Sequence, residues 1–507
     1  MKKYIHIIAI LSILLVIAIP VQSNNTGVSN IAWMLEFTSN DVEFPQECVA
    51  DSYGNLFVVG WTRGEFGGNN YLGESDAYMA KISSSGKLLF VYQFGTAKTD
   101  VAGSVAIDNK NNVYVSGATN GALDGQRNYG GFDGFIMKLD HGSKILWKLQ
   151  FGSSESDYIY DIAIASDGSI YAVGATLGSI DNGNNKGKYD IFVVKISPEG
   201  KLLWVKQIGT SNNDEAFLSD FDSQGNLYLV GFTEGAFQSG SNKGENDAIL
   251  LKLSPEGNVL WVNQFGSSGD DEATVVSVDR TNMAVYVAGS TYGQLAEKVY
   301  GDHSANDFFI AKFSLNGNIE WIKQFGTAGS NLYHDHDKVY YIKVENSGNI
   351  LVSGQVEGKL SDKVESVNGP SPFIMELNPR GNINWLQQYP SYINYTASSI
   401  AIDKYNNVFL TLGYNYNVGG HNSTYIIKLG DNNPENTNNN EVTESSTSET
   451  HGTTATSSSQ TLTSSSNVVK TGIQDVSKLA KSINWHDPKT IILLLIVILL
   501  IAILLKK

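Results

Sequence analysis

Carboxylates at repeating intervals are the first residues of this chain with chemistry to offer. Glu43, Asp100, Asp157, Asp214, Asp271 and Asp337 occupy corresponding places in successive copies of a repeat, and Tyr395 takes the seventh place. Brought together in a ring, such side chains would repel one another unless a cation or hydrogen-bond donors offset their charge. Hard cations prefer oxygen ligands, so Ca2+ is the ion such a ring would take, and it is the one cofactor the sequence raises. A residue repeated in nearly every unit usually serves the unit. Each carboxylate is therefore expected to cap its own loop by accepting backbone N–H bonds. The cation ring is the sharper alternative.

Other reactive residue types are sparse. Asp76, Asp133, Asp190, Asp247 and Asp307 recur, each followed five residues later by Lys81, Lys138, Lys195, Lys252 and Lys312. Odd spacing puts the two on opposite sides of a strand, so turn caps and ion pairs between repeats are expected rather than catalysis. His334 and His336 lie beside Asp335 and Asp337 and have the donor types of a transition-metal site. They sit in one irregular stretch with no further ligand implied, so a solvated loop is the expected role. Cys48 is the single cysteine, which excludes an intrachain disulfide, and it falls where other units have Val105 and Ile162. A buried thiol acting as a small hydrophobe is expected there. No Ser-His-Asp order, Cys-x-x-Cys, phosphate loop or nucleophile elbow can be read. No catalytic residue is assigned, and the chain is not expected to be an enzyme.

The elements that must position these residues follow from a rhythm. Trp33, Phe90, Trp147, Trp204 and Trp261 stand 57 residues apart, in phrases such as KILWKLQFGS and NVLWVNQFGS, with looser copies at Trp321 and Trp385. A fixed period of this size means one supersecondary unit repeated, each copy burying its apolar face on its neighbours. Alternating apolar residues bounded by Gly and Asn divide the second unit into strands A (101–107), B (113–119), C (133–139) and D (145–151). Four antiparallel strands per repeat predict a β-propeller. Strand B recurs seven times, at Gly60, Gly117, Gly174, Gly231, Gly289, Gly354 and Gly413. The first copy of strand D, around Trp33, precedes the first strand A, and the last unit ends without one. The expected fold is thus an all-β, seven-bladed propeller whose N-terminal strand completes the last blade and removes a free sheet edge.

The phrases DSQGNLYLVGFTEG and NDAILLKLSPEGNVLWVNQFGSSGDDEA resemble the SBBP (seven-bladed β-propeller) repeats of secreted and surface proteins of prokaryotes, over about residues 30–430. Units six and seven depart from the pattern, with Pro390 for a Gly and Glu376 for the recurring Lys. The resemblance implies the propeller; the family is defined by architecture and lends no catalytic motif. Gly-Lys-x-Leu-Trp is also similar to the Trp-docking repeats of quinoprotein dehydrogenases. That likeness would imply a quinone-dependent enzyme, a lesser alternative because the rest of that motif is missing.

Composition fits the same picture. Fifty glycines, ten prolines and a net charge of −16 suit short strands and tight turns, and exclude a nucleic-acid partner. Residues 1–23 read as a signal peptide: Lys2 and Lys3, an apolar run, then small residues. Residues 24–430 form the propeller. Residues 431–471, rich in Ser, Thr and Asn, read as a disordered stalk. Residues 472–489 read as an amphipathic juxtamembrane segment, and 490–507 as a transmembrane helix with its lysines cytoplasmic. A cleaved sorting tail is the alternative there. Asn24, Asn394 and Asn422 open glycosylation sequons. Loops B–C and D–A share one end of the propeller, and the B–C loops (65–75, 123–132, 179–189, 236–246, 294–306) differ between units. Binding is expected on that face. The overall expectation is a membrane-anchored extracellular binding or adhesion module for a glycan or protein ligand. A structural part of the cell envelope is the second reading.

Overall fold

The computed structural model describes residues 31–429 apart from 142, 181–183, 302–305, 328–336, 346, 361–370, 389–394, 406 and 415–423. The signal segment, stalk, juxtamembrane segment and membrane span therefore lie outside the described residues. So do the sequons at Asn24, Asn394 and Asn422 and the pair His334 and His336.

Seven antiparallel sheets form the blades of a propeller, each ordered A-B-C-D. In the second blade, strand A is Asp100–Ile107, B is Val113–Thr119, C is Asp133–Leu139 and D is Ile145–Phe151. The last three match the bounds read from sequence, and strand A begins one residue earlier, on its carboxylate. Each strand A packs on strand A of the neighbouring blades, so these strands wall the central channel. Strands B and C are buried on both faces because another blade covers each side; every residue of Val113–Thr119 is buried. Apolar side chains from adjacent blades interlock, as where Phe57, Val59 and Met79 of blade 1 meet Val105, Val115 and Phe135 of blade 2.

The ring closes as expected. Ile31–Phe37 is strand D of blade 7 and pairs with strand C of that blade, Thr424–Leu429, with Trp33 opposite Lys428 and Phe37 opposite Thr424. Trp33 then reaches onward to blade 1, donating from Nε1 to the Ser84 carbonyl at 3.1 Å. Trp147 makes the same contact from blade 2 to the Pro198 carbonyl of blade 3, at 3.0 Å. A Cβ on Gly200 would lie 2.7 Å from the Trp147 ring, and that glycine has φ +85°, so both space and backbone demand glycine in this turn.

Two features were not anticipated. Strand A carries a β-bulge in every blade, opposite the strand B glycine in blades 1 to 6 and opposite Leu412 in blade 7. In blade 2 the shift falls between Ala102 and Ser104, and a Cβ on Gly117 would sit 1.9 Å from the Val101 carbonyl. Six of the seven glycines used to count blades are thus fixed by a close backbone approach; Gly413 lies one residue out of that register, and a Cβ there would meet the side chains of Pro45 and Phe44. Blade 5 has a fifth strand: Val299–Gly301, from its B–C loop, pairs in parallel with the outer strand Ile319–Gly326.

Candidate site at the channel mouth

The recurring carboxylates open strand A, or in the case of Asp337 stand just before it, and are sunk from solvent, at 0–1 % exposure. Each is engaged by its own D–A loop. Asp100 accepts from the Thr96 backbone N–H at 2.6 Å and the Thr96 hydroxyl at 3.0 Å, and its other oxygen takes the Thr119 hydroxyl at 2.5 Å. Asp214 repeats this with Thr210 and Thr233, and Asp157 with Ser153 and Thr176. Asp271 accepts from Ser267, Asp337 from the Thr327 and Glu357 N–H groups, and Glu43 from the Ser39 N–H. Burial raises the carboxyl pKa of Asp100, Asp157, Asp214 and Asp271 against these donors, and the strand C aspartate of the preceding blade adds to the rise. Burial pushes Glu43 and Asp337 up to about 7. Among the described residues no group of three or more His, Cys, Asp or Glu side chains could hold a metal ion.

The strand C aspartates serve the B–C loops through a residue the sequence reading passed over. Gln150 donates to Asp133 at 2.7 Å and to the Gly121 carbonyl, while its own carbonyl accepts the Leu123 N–H at 3.0 Å. Gln93, Gln264 and Gln324 do the same in their blades. Their recurrence before Phe-Gly was the available signal. The lysines depart from expectation. Lys252 and Lys195 pair within their own blades, with Asp222 at 3.1 Å and Asp167 at 3.8 Å, because the A–B turn lies beside the strand C lysine. What crosses between blades is a hydrogen bond to a carbonyl, as from Lys138 to Pro198 at 3.1 Å, with the ammonium 4.9 Å from the Tyr114 ring. Cys48 is buried, as expected of a small hydrophobe, and desolvation pushes its thiol up to about 12.

Deeper in the channel, polar side chains at or beside the strand A bulges tie blade to blade. Glu47 accepts the Val105 N–H at 2.8 Å, Ser104 the Ile162 N–H at 3.2 Å, and Asp161 the Ser219 N–H at 2.8 Å. Asp220, Ser277 and Ser399 take the N–H groups of Val278, Val344 and Cys48. Burial, then the nearby Asp161 charge, pushes Glu47 up to about 7; burial pushes Asp161 up to about 6.

Above these ties the blades stop resembling one another. The residue after the recurring carboxylate is Phe44, Val101, Tyr158, Glu215, Glu272 or Lys338 in blades 1 to 6; two further on stands Gln46, Gly103, Tyr160, Phe217, Thr274 or Tyr340. The residue before strand C is Phe132, Tyr189 or Asn246 in blades 2 to 4. Rings at these positions form a row. Phe132 and Tyr189 lie 5.2 and 6.3 Å from Tyr158, and Tyr160 lies parallel to Tyr158 at 6.3 Å. Phe217 follows 5.6 Å from Tyr160, and Phe232 5.8 Å beyond. On blade 1, Phe44 stacks on Trp61 at 6.0 Å. Polar groups rim the row: Tyr160 donates to Glu215 at 3.0 Å, Asn213 to Glu234 at 2.6 Å and Asn246 to Glu272 at 3.4 Å. Burial raises the Glu215 and Glu272 carboxyls.

No family model matches the chain. It is 23% identical over 257 residues to the regulatory protein FlaEY of Caulobacter vibrioides, covering 46% of this chain and 25% of that one. It is 21% identical over 365 residues to an uncharacterised WD repeat-containing protein of Acanthamoeba polyphaga mimivirus, covering 55% and 26%. The chain thus spans about a quarter of the length of these curated relatives. Among solved structures it is similar to the polysaccharide lyase Uly1, with TM-score 0.46, 9% identity, and 79% and 99% of the two chains covered. The fold is a seven-bladed β-propeller, similar in sequence to a WD repeat-containing protein, and the architecture serves many binding and scaffold modules and some enzymes.

Proposed function

We propose that this chain is a binding module whose ligand docks over the D–A/B–C mouth of the propeller, beside blades 1 to 5. One observation carries the reading: positions that face the mouth vary from blade to blade, and they hold a continuous aromatic row, while their neighbours in sequence are constant. Constant residues serve the blade; variation on a repeated scaffold is where recognition resides. The role is non-catalytic, with the propeller held outside the cell on the 431–471 stalk and the 490–507 span. The repeat phrases favour a place among SBBP-type surface proteins. Exchanging loops 123–132 and 179–189 for those of other blades should abolish attachment of protein-coated beads to the cells or matrix the chain adheres to. Attachment that survives the exchange would sink the reading.

A structural role in the envelope has one observation in its favour. Leu89, Leu146, Leu203 and Leu260, at one register position of strand D, are 47–50 % exposed along the outer rim. Exposed leucines on edge strands suit lateral contact with a neighbour. Changing all of them to Ser would disrupt such contacts and leave mouth binding intact.

A further inference from the structure

The residues that vary at the mouth also narrow the ligand class; this inference rests on the binding reading above. The geometry points to a neutral oligosaccharide chain lying across blades 1 to 4. Three features of the mouth agree on it.

The first is the ring row. Tyr158 and Tyr160 are parallel within 2° on one strand, with Tyr189 and Phe132 against Tyr158, and all four are only part-buried. Rings that contact one another this way are rigid and carry little side-chain entropy to lose on binding. A pyranose offers a face of C–H groups to such a ring and hydroxyls at its edge, so it needs an aromatic floor and a polar rim together. The rim is the second feature. Glu215, Glu234 and Glu272 supply acceptors and the amides of Asn213 and Asn246 supply donors, already oriented by mutual hydrogen bonds. Planar acceptors and donors placed beside an apolar floor fix orientation in a ligand site.

The third feature is charge. Lys188 pairs with Glu234 at 3.2 Å, and Lys338 stands close enough to lower the Glu272 carboxyl pKa against the effect of burial. The mouth therefore carries no surplus of positive charge, and a chain of net charge −16 repels polyanions. An uncharged, hydroxyl-rich ligand meets these conditions; a uronic-acid polymer or a nucleic acid does not. Blade 2 gives the ligand room between the rings of blades 1 and 3. On strands A and B its mouth positions are the small residues Val101, Gly103 and Ala118, with Phe132 the one ring it adds, and a Cβ on Gly103 would meet only the Ile159 carbonyl, at 3.5 Å.

The test is a binding panel on the full-length chain at about 0.15 M salt, where long-range attraction is screened. The panel holds neutral oligosaccharides of hexose, deoxyhexose and N-acetylhexosamine, uronic-acid oligosaccharides and a lysine-rich peptide. At least one neutral oligosaccharide should be retained. Tyr158→Ala and Tyr189→Ala should each weaken it about tenfold or more, with Tyr158→Phe within about twofold, since a ring face rather than the hydroxyl does the stacking. An unchanged melting temperature separates lost contacts from lost fold. Retention of no neutral oligosaccharide, or equal retention by Tyr158→Ala, overturns the sugar inference. If the acidic sugar or the peptide is retained instead and lost in Tyr158→Ala, the ligand class is wrong and the binding face stands. If a ligand is retained equally by both alanine variants and by the loop-exchanged chain, the binding face itself is wrong.

Discussion

Glu47 and Asp161 face the channel with carboxyls that hold protons far above the usual carboxylate range. Their folded pKa values, about 7 and about 6, exceed the ordinary values of 4.5 and 3.8. The folded chain therefore binds these protons more tightly than the unfolded one. The stability they lend is complete below about pH 4 and is lost as pH rises toward 7. Glu43 and Asp337 shift in the same direction. The melting temperature should accordingly be higher at pH 5 than at pH 8. Glu47→Gln keeps an acceptor for the Val105 N–H without the charge. It should raise stability at pH 8 by on the order of 1–3 kcal/mol and flatten the pH profile. Thermal melts of both proteins across pH 4.5–8 would show it, and a wild-type melting temperature that rises steadily with pH would contradict it. The strand A carboxylates carry a separate expectation. Each of these six carboxyls accepts from its D–A loop, and Asp100, Asp157 and Asp214 also from a strand B threonine, so a chelator should leave the melting temperature unchanged; a Ca2+-dependent rise would restore the cation ring.

At the scale of elements, the glycine of strand B and the bulge of strand A are one device. The bulge brings a strand A carbonyl to within 1.8–2.1 Å of where a Cβ would stand in Gly60, Gly117, Gly174, Gly231, Gly289 and Gly354. Gly117→Ala should therefore force the two strands apart and cost about 2–4 kcal/mol in urea unfolding. Gly68 has φ +82° but open space around it, so Gly68→Ala should cost only about 1 kcal/mol. Equal losses in the two variants would mean that the close approach is not what fixes the strand glycines. The alternation of residues revealed the strands, but it could not reveal the bulge. A bulge inserts its extra residue against a partner strand, and one strand's own pattern does not say where the partner's carbonyl lies.

For the whole molecule, the ring is closed by the seven residues Ile31–Phe37, the first of the described strands in chain order. Without Ile31–Phe37 the last blade would have three strands, and Trp33 would no longer bridge to blade 1. A chain starting at residue 38 should unfold at lower urea with a broader transition. A peptide of residues 29–38 added in trans should restore much of the loss, because it binds only the closed ring. Truncation without effect on the urea midpoint would show that the clasp does not hold the ring.

The repeat, the seven blades, the closing strand and most strand bounds were legible in the chain alone. These follow from periods of 2 and 57 that are local or nearly so, and from one strand too many at the start and too few at the end. The sequence also favoured loop capping over a cation ring for the recurring carboxylates, without naming the donors they meet. Thr96 lies four residues before Asp100 and Thr119 nineteen after it, and only the folded blade brings both to one carboxyl. The tertiary structure alone decided the blade-to-blade ties at Glu47, Ser104 and Asp161, and the aromatic row from Phe132 to Phe232. The ties, and the Phe132–Tyr158 and Tyr160–Phe217 contacts of the row, join different blades. A repeat compared with itself records what each blade keeps, whereas recognition depends on which unlike residues the closed ring sets side by side.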